Sequence, residues 1–110
     1  MAVTYKILGQ SAPSATTETD LYTVPASTNT VVSTLAVANR SATDATFRVS
    51  CSVAGAATAT KDYIAYDVTC AGNGGVNYFT LGISLNATDK VRVYASSANL
   101  SFNLFGSEIA

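Results

Sequence analysis

The sequence predicts an all-β fold, a single antiparallel β-sandwich or jelly-roll-like domain of about eight short strands spanning residues 1–110. Its apolar stretches are short and rich in Val, Ile, Thr, Tyr and Phe. Clusters of Ser, Thr, Asn, Gly and Pro bound each stretch, and no segment has a convincing helical period. A chain of 110 residues is long enough for one core and too short for two.

The first half of the chain predicts four strands, each ended by turn residues. Pro25 ends the second strand because proline cannot donate to a ladder. In the fourth strand Phe47 and Val49 alternate with Arg48, which predicts that the arginine faces outward. The same alternation places Cys51 and Val53 on the core side. The four strands are expected at residues 5–8, 21–24, 30–38 and 45–53.

The second half predicts four more strands after an ambiguous stretch, 54–61, whose glycine and threonines favour a loop over a helix. In the fifth strand, alternation puts Ile64, Tyr66, Val68 and Cys70 on the core side. Asp67 then faces outward, and we expect it to pair with Arg48 or Arg92. The strands are expected at 62–70, 76–83, 90–95 and 100–105, with turns at 71–75 and 86–89. Because Gly9 and Gly106 flank the terminal strands, we also expect the two ends of the chain to pair.

Composition excludes several classes of function. Charged residues make up 12% of the chain and its net charge is -1, and the six cations are scattered, so a nucleic-acid partner is not expected. No apolar run approaches the roughly 20 residues of a membrane span, and we expect no membrane partner. No secretory signal is visible at the N-terminus, which predicts synthesis in a cytosol.

The sequence contains no catalytic set, and we expect no enzyme activity. It has no histidine, so the commonest general base and any Ser–His or Cys–His pair are missing. Asp20 and its neighbour Glu18 lack the further ligands of a calcium loop, and the glycine-rich stretch 71–75 lacks the residues of a phosphate loop. We expect no cofactor and no metal.

Two cysteines, Cys51 and Cys70, both fall on core-facing positions by alternation. As free thiols they would act as small buried hydrophobes. As a disulfide they would join two strands of a protein that ends outside the cell. Cytosolic synthesis favours free thiols, and both alternatives remain open at this point.

Outward side chains on a weakly charged surface are typical of protein–protein contacts. Alternation places Arg92 and Tyr94 outward in the seventh strand, while Val91, Val93 and Ala95 face the core. Phe105 breaks the polar side of the last strand and is available to cover an edge or a neighbour. The predicted contact residues are therefore Arg48, Arg92, Tyr94 and Phe105.

Motifs across residues 5–108 resemble those of small virion structural proteins of tailed bacteriophages, notably of phages that infect cyanobacteria. They are LYTVP, an apolar strand that ends in Asn39-Arg40, FRV at 47–49, LGISL at 81–85, VRV at 91–93 and FGSE at 105–108. The resemblance implies a β-sandwich present in many copies on a particle, and it carries no catalytic residues. The chain departs from this pattern at Cys51 and Cys70, where related sequences often carry other residues. A pair of cysteines on the same face makes a disulfide formed late more plausible than composition alone does.

The residues and the resemblance together predict a non-enzymatic virion structural protein, assembled in the host bacterial cytoplasm. We expect a capsid decoration, or cement, protein that docks on the shell of the major capsid protein, as a homo-oligomer and most simply as a trimer. By stabilising the assembled shell, such a ligand shifts the equilibrium toward assembly. The alternatives are a tail, baseplate or fibre-associated protein, and a glycan-binding β-sandwich module.

Overall fold

The computed structural model describes residues 2–110, apart from the side chain of Leu81. It contains eight β-strands and two short 3₁₀ turns, Val53–Gly55 and Thr60–Asp62, and the described residues form no α-helix. Every strand expected from the sequence is present, which confirms the predicted all-β class. The strands are β1 (Val3–Ser11), β2 (Thr19–Thr23), β3 (Asn29–Asn39), β4 (Ala45–Ser52), β5 (Tyr63–Cys70), β6 (Val76–Leu85), β7 (Lys90–Ala95) and β8 (Leu100–Ile109).

The strands form two four-stranded sheets. Sheet I has the order β1-β8-β3-β6 and sheet II the order β2-β7-β4-β5, and all described pairings are antiparallel. Consecutive strands therefore alternate between the two sheets, except β4 and β5, which are neighbours in sheet II. Two packed four-stranded sheets with these crossing connections are a jelly roll.

The first and last strands pair, as the sequence predicted. Ile7 lies opposite Phe105 and Lys6 opposite Gly106 in an antiparallel ladder. On its other side β8 pairs with β3, where Leu35 lies opposite Leu104. The final strand is thus an interior strand of sheet I, and it holds β1 in the sandwich.

The core lies between the sheets and is built from the inward residues of alternating strands. The ring of Phe47 meets Phe79 edge-on at 5.8 Å and Phe102 at 6.0 Å between centroids. Phe47 and Phe102 are fully buried, as are the predicted core residues Val91, Val93 and Ala95. Burying a side chain of this size stabilises a fold by about 1.5–3 kcal/mol. The core therefore joins sheet II, through Phe47, to both β6 and β8 of sheet I.

The predicted facing of β5 is wrong because the strand contains a bulge. Phe47 pairs with Val68 and Val49 with Ala65, so two residues of β5, Tyr66 and Asp67, oppose one residue of β4. Asp67 has φ 50, in the left-handed region. A bulge changes the facing of every residue beyond it.

As a result, Ile64 and Tyr66 point outward with 50% and 57% of their surface exposed, whereas Val68 and Cys70 keep their inward facing. Val53, also expected in the core, is 73% exposed, because β4 ends at Ser52 and Val53 begins a 3₁₀ turn.

Candidate interaction surfaces

The outer face of sheet II carries a cluster of charged and aromatic side chains around Arg48. The Arg48 guanidinium carbon lies 4.2 Å from the ring centroid of Tyr66 and 4.6 Å from that of Tyr94. Its Nε donates to Asp67 Oδ1 at 2.7 Å, which confirms the pairing expected for Asp67. This hydrogen bond raises the pKa of Arg48 above its ordinary value. The cation is therefore held between two rings by a carboxylate of the same chain.

Arg92 is committed to contacts inside the chain. Its side chain is 12% exposed. It donates to Asp20 at 2.9 Å, to Ser52 Oγ at 2.9 Å and to the carbonyl of Ala56 at 2.7 Å. Lys90 also donates to Asp20, at 2.8 Å, and this bond leads the contacts that lower the pKa of Asp20. Arg92 thus attaches the 53–62 loop to sheet II, a role that strand alternation did not reveal.

The outer face of sheet I is chemically different. By register, none of its outward strand positions in the described part of the chain carries a charged side chain. Instead it exposes large apolar side chains between Ser, Thr and Asn. Phe105 is half-buried there beside a shallow depression that Tyr5, Lys6, Val31 and Ser107 also line. The exposed apolar residues of this face are Val3, Tyr5, Ile7, Val31, Val76 and Tyr78.

The four predicted contact residues therefore divide between two faces. Arg48, Arg92 and Tyr94 lie on the outer face of sheet II, while Phe105 lies on that of sheet I. Phe105 has three companions that were not predicted, Tyr5, Ile7 and Val31. The alternation of Tyr5 and Ile7 with polar residues in β1 was available as a signal, whereas Val31 is followed directly by the apolar Val32. The contact role of the four predicted residues stays a prediction.

One end of the sandwich holds a part-buried polar cluster. The Tyr22 hydroxyl donates to Glu108 and lies 2.8 Å from Thr30 Oγ1, and Lys6 donates to Glu108 at 3.0 Å. Burial and the bond to Glu108 raise the pKa of Tyr22 to about 12. The bonds from Tyr22 and Lys6 lower the pKa of Glu108. These contacts join β1, β2, β3 and β8, so the cluster is structural.

Cys51 and Cys70 are both free thiols. Cys70 lies opposite Ala45 at one end of β4, and Cys51 lies near the other end, about 20 Å away at the usual rise per residue. A disulfide needs Cα atoms less than about 7 Å apart, so the two cannot bond within one chain. Burial raises the pKa of the Cys51 thiol to about 11. The free-thiol alternative is the one that fits the fold.

The described residues hold no group of three or more His, Cys, Asp or Glu side chains placed to bind a metal ion. Among these residues there is also no helix with the length and apolar character needed to cross a membrane.

Solved structures resemble the chain in fold. A chain of the T13 IBDV viral particle superposes with a TM-score of 0.50 and 12% identity, over 97% of this chain and 30% of that one. A pentameric capsid protein isolated from metagenomic phage sequences superposes with a TM-score of 0.36 and 18% identity, over 96% of this chain and 59% of that one.

This chain spans 30% of the length of the IBDV particle chain, so the likeness concerns one part of that protein. It shows a fold shared with a protein of a viral particle, and nothing specific to tailed bacteriophages. No family model matches the sequence. No curated protein matches it either.

Proposed function

We propose that the chain is a virion structural protein, and specifically a capsid decoration protein that docks on the shell through the outer face of sheet I. The observation that carries the proposal is the contrast between the two faces. Sheet II uses its charges internally, whereas the outward strand positions of sheet I are uncharged and expose Tyr5, Ile7 and Val31. An exposed apolar patch rimmed by polar groups is typical of a protein interaction site.

The size of this face fits a specific interface. Its strands are 9 to 11 residues long, and a strand of ten residues is about 33 Å long at the usual rise. Four strands at a spacing of about 4.8 Å give a width of roughly 19 Å. The flat area is therefore roughly 600 Å², which is comparable to the roughly 800 Å² that each partner buries in a stable complex.

A shell that presents many equivalent sites would bind many copies of a small sandwich. Because the chain binds only the assembled state in this proposal, it stabilises the shell by mass action. The likeness to a chain of a viral particle supports the virion role, and the low charge of the chain supports close packing of neighbouring copies. We keep the trimer as the expected oligomer.

This proposal is tested by co-sedimentation. The purified chain is mixed with empty shells, and separately with isolated tails, of the virus whose genome encodes it. The wild type should sediment with shells and raise the temperature at which they disassemble. Phe105→Asp places a charge in the docking face, so it should keep the fold, as judged by circular dichroism, and lose at least tenfold in shell affinity.

Thr69→Asp is the matched control, because it adds the same charge at an exposed position on the outer face of sheet II. It should bind shells as the wild type does. Equal loss in both variants would contradict docking through sheet I. Binding to tails and not to shells would contradict the decoration role and favour a tail-associated protein.

A further inference from the structure

A pocket on sheet II is lined by hydroxyl groups and aromatic rings. It lies where the 53–62 loop meets the start of β5, with a volume of about 500 Å³. Its lining carries two threonine hydroxyls, two phenol rings and no charged side chain. The lining residues are Thr58, Ala59, Thr60, Tyr63 and Tyr66. This volume is within the range of about 300–1,000 Å³ that small-molecule sites occupy.

The loop side of the pocket is held in shape by two buried anchors. Arg92 Nη1 donates to the Ala56 carbonyl at 2.7 Å and to Thr58 Oγ1 at 3.2 Å. Asp62, 8% exposed, accepts the Ala59 amide at 2.9 Å. A loop fixed from both sides does not have to be ordered by a ligand, and this lowers the entropic cost of binding.

The strand side depends on a strained residue. A left-handed backbone is unfavourable for residues with a Cβ, and Asp67 adopts it inside a strand with φ 50. The bulge turns Tyr66 outward, where Arg48 lies against its ring and Tyr63 meets it edge-on at 4.9 Å and 84°. Strain of this kind gathers at functional sites, and here its consequence is an exposed, fixed aromatic ring at the pocket wall.

We propose that this pocket binds a neutral saccharide. A sugar ring presents C–H groups to an aromatic wall and hydroxyls to hydroxyl partners, and the pocket supplies both. A nucleic-acid strand would need cations for its phosphates, and none lines the pocket. The cations beside it are each paired with a carboxylate of the same chain: Arg48 with Asp67 at 2.7 Å, Lys61 with Asp62 at 3.1 Å and Arg92 with Asp20 at 2.9 Å. The site is on sheet II, so the inference does not depend on docking through sheet I.

The test is a titration of isotope-labelled protein, followed by amide chemical shifts. The probes are maltose, lactose, cellobiose and N,N′-diacetylchitobiose, each to about 20 mM, which fills more than nine-tenths of a site with a Kd of about 1 mM. At least one sugar should shift the amides of residues 58–66 in a saturable way. Tyr66→Ala should weaken that binding at least tenfold, and Thr60→Val should weaken it severalfold without removing a ring.

Tyr78→Ala is the matched control, since Tyr78 is a 71% exposed tyrosine on sheet I, and it should bind as the wild type does. The proposal is overturned if none of the four sugars shifts these amides, or if Tyr66→Ala and Thr60→Val both bind normally. It is equally overturned if only a thymidine oligonucleotide, added as a separate probe, shifts them. Loss of shell binding by Phe105→Asp would leave this result unchanged.

Discussion

At the scale of single residues, Asp67 determines what sheet II shows to solvent. Its positive φ produces the bulge, and its carboxylate holds Arg48 over Tyr66. Asparagine and aspartate tolerate this backbone region better than other L-residues, whereas a β-branched side chain there is a genuine outlier. The shape of the backbone and the charge of the side chain can therefore be separated by substitution.

Asp67→Asn should keep the bulge and lose only the ion pair. That pair is part-exposed on both sides, so the free energy of unfolding should fall by less than about 1 kcal/mol. Asp67→Val should lower the free energy of unfolding by roughly 2 kcal/mol or more, because it adds backbone strain to the loss of the ion pair. Urea unfolding of the two variants measures the difference, and equal costs would show that the backbone of Asp67 is not strained.

Glu108 makes stability depend on pH in the acid range. Its pKa is lowered in the folded chain, first by the bond from Tyr22 and then by Lys6. A carboxyl with a lowered folded pKa stabilises the fold above its unfolded value of about 4.5, and this contribution disappears as the pH falls through the folded pKa.

Glu108→Gln should therefore be less stable than the wild type by about 1–2 kcal/mol at pH 7. The gap should shrink below about pH 4.5 and close as the pH falls through the lowered folded pKa, since the wild-type side chain then becomes neutral in the folded chain as well. Denaturant midpoints measured for both proteins from pH 7 to pH 3 follow this change. A gap that stayed constant with pH would assign the loss to packing instead of charge.

At the scale of the strands, β8 is the element on which sheet I depends, because it pairs with both β1 and β3. Gly106 allows this close approach, since a Cβ at that position would lie 2.2 Å from the Val31 carbonyl oxygen. A side chain at this position could therefore be accommodated only if the backbone of β3 moved away from β8.

Gly106→Ala should consequently destabilise the chain by about 1–3 kcal/mol, the usual cost of overpacking. Gly82→Ala is its control, because a Cβ on Gly82 of the edge strand β6 meets nothing within 4 Å. The free energy of unfolding of that variant should lie within about 0.5 kcal/mol of the wild-type value. Thermal unfolding of the pair checks both expectations, and similar transitions would show that β3 and β8 tolerate a wider spacing.

The number, type and order of strands could be predicted because each is a short β-rich stretch between turn residues. The terminal pairing could be anticipated from two glycines. The facing of Tyr66 could not, because a bulge is one extra residue that leaves the alternating pattern unbroken. An aspartate in mid-strand was the only sign of it. The contacts of Arg92 were also unpredictable, since they depend on where a distant loop folds back.

At the scale of the whole molecule, the two sheets differ in what they offer a partner. On the outer face of sheet II, Arg48 and Arg92 pair with carboxylates of the same chain, and Arg92 also holds the 53–62 loop. This face carries the pocket beside Tyr66. The outward strand positions of sheet I carry apolar and uncharged polar side chains, and Lys6 lines the depression beside Phe105. A partner with unpaired charges would lose their hydration against that face without compensation, so the face fits a partner surface that is itself weakly charged.

The most direct measurement is an electron cryo-microscopy map of empty shells mixed with the purified chain, at a resolution that separates the two sheets. We predict ordered 11.3 kDa sandwiches on the outer surface of the shell, with sheet I against it and Phe105 inside the contact. Density bound through sheet II, or shells that remain bare while tails carry the chain, would contradict the account.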